Sequence, residues 1–169
     1  MVAVFLLFLF FWQENFLPAL PYPLFYANFI IVALVLMLLL LDAQTLYLSA
    51  LIFGVLSDVQ SFYFFGVYMI SLLVAAGVTR LALIKFFTNR SLYAFIGLTF
   101  IATLSYELAR IILLAAAAFI HGAPAALSLP KVTPPIFGYE LLFNILSVII
   151  AFYAINYFSR SLKAFFITK

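Results

Sequence analysis

From Leu92 to Ile120 the chain runs without a break in apolar character, carrying only Glu107 and Arg110 as charges. Similar runs recur along the sequence: Met1–Phe11, Leu24–Leu41, Thr45–Ser57, Phe64–Phe87 and Gly138–Phe158. A stretch of about 20 apolar residues is what a helix needs to cross some 30 Å of hydrocarbon. Inside lipid, a helix satisfies every backbone group within itself. Such a pattern confines the chain to an all-α fold, a polytopic membrane helical bundle of about six transmembrane helices. Composition agrees: 69% of the 169 residues are hydrophobic and 8% are charged, against about 25% charged in a soluble domain. Residues 1–169 therefore read as one integral membrane domain, because the loops are too short to fold alone.

Several function classes fall away on residue content. There is no cysteine and one histidine, His121, so neither a thiolate site nor a multi-histidine metal site can form within the chain. The net charge of +3 comes from eight scattered basic residues that flank apolar runs. In a membrane protein such residues report orientation and not nucleic-acid binding. Lys85 in the last turn of the fourth run and Arg90 just after it lie toward the loop to the fifth, and Arg160, Lys163 and Lys169 follow the sixth. Basic loops stay cytoplasmic, so both termini are predicted to be cytoplasmic, with Lys131 the exception. Met1–Trp12 has neither a basic leader nor a small-residue cleavage site, and is expected to remain as a helix.

Charges and amides within apolar spans are costly and call for a reason. At the junction of the third and fourth runs stands Gly54-Val-Leu-Ser57-Asp58-Val-Gln60-Ser61, followed by Gly66. Asp58 ends a helix where the dipole disfavours an anion, so its carboxylate is better used capping the following helix or pairing with a cation. Gly54 and Gly66 would let helices approach closely. The junction reads as a tight polar turn fixing helix packing, as a patch facing a partner or ligand, or as both. In the fifth run Glu107 and Arg110 are three residues apart, neighbours on one helical face. They form a neutralised pair, or one of them reaches Asp58 or another subunit, with the Tyr106 hydroxyl beside them. Asn144, one turn after Glu140, suits an interhelical hydrogen bond; a ligand contact is the other reading. His121 reads as a polar helix end.

No nucleophile elbow, zinc-protease signature or phosphate-cradling loop occurs. Asp42 and Asp58 bracket one short helix and would lie on opposite membrane sides, so they do not converge as an aspartyl dyad would require. The chain is expected to be no enzyme, with no catalytic residues and no cofactor.

The stretch Gly54 to Gly66 resembles the G-x-x-x-D-x-x-S-x-x-x-x-G signature of the rod shape-determining MreD family, carried here by Gly54, Asp58, Ser61 and Gly66. Length, the lack of a soluble domain, the helix-five charges and Asn144 fit the same pattern. The resemblance implies a non-enzymatic scaffold of the bacterial inner membrane, acting in cell shape and lateral peptidoglycan synthesis. It implies an MreC-like partner, with MreB, RodA and a penicillin-binding transpeptidase in the same machinery. The helix pattern is also similar to the substrate-binding S components of energy-coupling-factor vitamin transporters. Those usually carry an A-x-x-x-A pattern in the first helix, where Met1–Trp12 offers only Ala3.

Overall fold

A computed structural model describes residues 2–41, 43–61, 64–87, 91–120 and 134–166, with side chains over 8–41, 43–61, 64–87, 91–120 and 136–157. Asp42, Arg90, His121, Lys131 and Lys169 lie outside the described residues, as do the side chains of Arg160 and Lys163. Among the described residues, six α-helices follow in order: α1 (Val2–Asn15), α2 (Phe29–Leu40), α3 (Ala43–Gln60), α4 (Val67–Phe86), α5 (Leu92–Ile120) and α6 (Pro134–Phe166). Two short 3-10 turns, Leu17–Ala19 and Leu24–Tyr26, occupy the proline-rich link between α1 and α2. The all-helical class is as expected, and the bounds of α5 match its apolar run.

The second apolar run does not. The helix expected over Leu24–Leu41 begins at Phe29 and has 12 residues. Pro23 precedes a 3-10 turn, and Asn28 then caps the helix, its side-chain oxygen accepting from the Ile31 N–H. An amide at that position competes with continued helix in the N-terminal direction and stops it. At 1.5 Å per residue α2 is about 18 Å long, too short to cross a bilayer alone. It compensates by being interior: nine of its residues, among them Ile31, Val35 and Leu39, are buried. It packs against α1, α3, α4, α5 and α6.

Among the described residues, three helices are long and apolar enough to cross a membrane: α4, α5 and residues Ile136–Tyr157 of α6. They carry the lipid-facing character. Leu81, Ile84, Leu108, Ile112 and Ile150 are exposed on them, a surface suited to acyl chains and costly in water. Between α4 and α5 the contact is lined with small residues, including Ala75, Ala76, Thr99 and Ala102, all buried. Without a hydrophobic drive in lipid, such close backbone approach supplies the packing energy. Hydroxyls within the helices are consumed locally: Ser71, Thr79 and Thr99 each donate to the carbonyl four residues back. Those groups therefore ask for no partner from another helix. Arg80 lies over the Tyr47 ring at 5.6 Å, and Lys85 sits in the last turn of α4, where the helix dipole favours a cation.

Candidate functional site

Apart from hydroxyls bonded within their own helix, the buried polar side chains gather around two features: the joint between α3 and α4, and a layer at the N-terminus of α2.

At the joint, Asp58 at the end of α3 is 3% exposed, yet it pairs with no cation among the described residues. Its two oxygens accept from the backbone N–H groups of Tyr68, at 2.9 Å, and Met69, at 3.0 Å. These are donors in the first turn of α4, which would otherwise lack intrahelical partners. The anion thus sits against the positive end of the α4 dipole, and the capping alternative holds over pairing with Arg110. Ser61 donates to the Asp58 carbonyl at 3.1 Å, closing the end of α3. Gly54 permits the approach: a Cβ there would stand 2.3 Å from the Met69 Cα. Gly66 has a different role from the one expected. Its φ is +96°, in the left-handed region, and an added Cβ would meet nothing nearer than 4.0 Å. It is a conformational glycine that turns the chain into α4, and not a close-approach glycine.

The layer at α2 is built from four elements. Asn144 of α6, fully buried, accepts from the Asn28 N–H at 2.7 Å and donates to the Thr103 hydroxyl of α5 at 3.1 Å. Gln13 of α1 accepts from the Ile30 N–H at 2.9 Å and donates to the Asn28 side chain at 3.3 Å. The Asn28 amide in turn donates to Glu140 at 3.4 Å. Free N–H groups at the start of α2 are therefore met by side chains from α1 and α6, as an interior helix end requires. Measured from the other end of α2, the layer lies about 18 Å into the bundle, within the thickness of a hydrocarbon core.

One turn further along α5, Arg110 donates to Glu107 at 2.5 Å and its guanidinium lies 5.9 Å from the centre of the Tyr106 ring. The expected pair is present, with Glu107 buried. The carboxyl of Glu140 lies near enough to Glu107 for the two to interact electrostatically, which joins the pair to the α2 layer. Asn144→Leu should strand the Asn28 N–H and the Thr103 hydroxyl together. A loss of about 1–3 kcal/mol, read by thermal unfolding in mild detergent, is expected from an orphaned buried donor.

Between the joint and the layer is a cavity of about 250 Å³ whose walls include Ser57, Gln60, Ser61, Tyr68 and Tyr106, with Gln13 and Asn28 at its floor. The site residues expected from sequence thus fall into one connected region. Gly54, Asp58, Ser61 and Gly66 form the joint, Asn144 the layer, and Glu107 with Arg110 its extension. Sequence reading passed over Gln13 and Asn28. For Asn28 a signal existed, since a lone asparagine between a proline-rich turn and an apolar run is a helix-start mark. Gln13 carried no such mark.

The fold defines an all-helical protein with helices able to cross a membrane and a buried polar centre. The chain matches no protein-family model, no curated protein and no solved structure.

Proposed function

We propose that the chain is an MreD-like scaffold of the bacterial inner membrane, acting without catalysis in cell shape and lateral peptidoglycan synthesis. In this reading the six helices cross the bilayer with both termini cytoplasmic. The polar centre then lies nearer the outer face. The observation that supports it is the α3–α4 joint. Each residue of the Gly54, Asp58, Ser61 and Gly66 signature has a structural task there, so the motif describes a rigid joint and not a reactive site. Scaffolding needs such rigidity, because a partner-binding face must hold its shape. The partner would be an MreC-like protein, with MreB, RodA and a penicillin-binding transpeptidase in the wider assembly. The test is co-purification: tagged full-length chain in mild detergent should retain an MreC-like protein from its own host, and consistent failure to do so sinks the reading. A topology reporter fused after Lys169 should read cytoplasmic; activity on the far side would overturn the six-crossing arrangement.

A second reading, the substrate-binding S component of a vitamin transporter, draws support from the polar cavity beside α2. Thermal-shift screening against vitamins separates the two, since a nanomolar hit would reverse their order.

A further inference from the structure

We propose that the cavity between α1, α3, α4 and α5 is a binding site for a small organic cation of the amine class. The inference requires neither reading above. At about 250 Å³, the space would hold on the order of eight waters at the roughly 30 Å³ each occupies in the liquid. It is therefore more than a packing flaw. Its walls are also unusual for a flaw inside an apolar bundle, since beside Ile30 and Leu72 they carry hydroxyls, amides and one carboxylate.

Charge sets the ligand class. The Gln13 and Asn28 amides bond to the start of α2 and to Glu140, which leaves one N–H on each. Ser61 already gives its hydroxyl proton to the Asp58 carbonyl, so toward the cavity it can only accept. Among the lining side chains Glu14 carries the one carboxyl, acceptor-only when ionised, whereas Ser57, Gln60 and the hydroxyls of Tyr68 and Tyr106 can both donate and accept. Among the described residues that line it there is no lysine, arginine or histidine. An anion would enter against a carboxylate with no countercharge. A protonated amine would bring N–H donors to acceptors that need them, through charge-assisted bonds. Tyr68 and Tyr106 also line the space, and aromatic rings attract a cation presented to their faces. The other carboxylates nearby are spent: Asp58 on backbone donors, Glu107 on Arg110 and Glu140 on Asn28. Glu14, exposed at the cavity's edge, is left to select charge.

Three probes of one shape and different charge make the test: tyramine, the neutral alcohol tyrosol and the anion 4-hydroxyphenylacetate. Each is titrated into the full-length chain in mild detergent while the melting temperature is followed. Tyramine should raise it with an apparent affinity at least tenfold tighter than either analogue. In Glu14→Gln the tyramine advantage should disappear, while the unliganded melting temperature moves little because the side chain is exposed. Absence of a tyramine shift, an equal shift from tyrosol, or a tyramine advantage that survives in Glu14→Gln would each overturn the proposal. None of these outcomes bears on retention of an MreC-like partner, so the site and the scaffold reading can fail separately.

Discussion

Gly54→Ala should destabilise the bundle by about 3 kcal/mol, at the upper end of what overpacking usually costs. The added Cβ would lie 2.3 Å from the Met69 Cα and 3.0 Å from its nitrogen. Backbone on both sides leaves no flexible side chain to swing away, so α3 and α4 must separate. Separation has a second consequence, because the Met69 N–H that faces Gly54 is also a donor to Asp58. Moving α4 outward stretches the bonds that cap it, each worth roughly 1.5–3 kcal/mol when the acceptor is charged. The two sites should therefore be coupled. Gly54→Ala combined with Asp58→Ala is expected to cost clearly less than the sum of the single changes. Gly77 in the middle of α4 supplies the control. Nothing lies within 4 Å of a Cβ built there, so Gly77→Ala should stabilise by about 0.5–1 kcal/mol through helix propensity. Thermal unfolding of the four variants in one detergent decides the matter. Equal effects at Gly54 and Gly77 would mean that close approach is not what Gly54 provides.

How far the sequence could be read depended on the range of the interaction. Period and length govern a helix locally, which is why α5 could be bounded by its apolar run and why Glu107 and Arg110 could be paired at a spacing of three. Asp58 was legible for a related reason: an anion at a helix end must be compensated, and the next helix start lies ten residues away. Gly66 was legible as special but not in kind, since close approach and positive φ both select glycine and nothing in a single sequence separates them. The α2 layer was beyond reach. Asn28 and Asn144 are bonded across 116 residues, and Gln13, two residues past the end of the first apolar run, looked like an ordinary interfacial residue. Apolar composition also hid the stop at Asn28. One polar residue in a run of greasy ones changes hydropathy little, yet it ends the helix and fixes the depth of the polar centre. The cavity follows from that stop, because a longer α2 would have filled part of the space.

Glu107→Ala should cost about 3–5 kcal/mol, the usual penalty for leaving one member of a buried ion pair without its partner. Glu107 is 4% exposed and the Arg110 side chain 17%, so water can solvate the stranded guanidinium only at its edge. Its Nε already lacks a hydrogen-bond partner among the described residues, and the Tyr106 ring gives attraction without an acceptor. Replacing both Glu107 and Arg110 with leucine removes the charges together and substitutes apolar volume. That double variant should be markedly more stable than Glu107→Ala, as exchange of a whole buried pair is often close to neutral. Glu140 complicates the single variant in a way that can be measured. Its carboxyl neighbours both Glu107 and Arg110, and with Glu107 gone it is the anion best placed to turn toward the guanidinium. Doing so would draw it from the Asn28 amide and loosen the start of α2. Glu107→Ala with Glu140→Gln should accordingly fall below Glu107→Ala alone, because no anion in the layer can then reach Arg110. Equal stability of the single variant and the double leucine variant would show that the two charges do not act as a pair. Equal stability with and without Glu140 would confine the effect to α5.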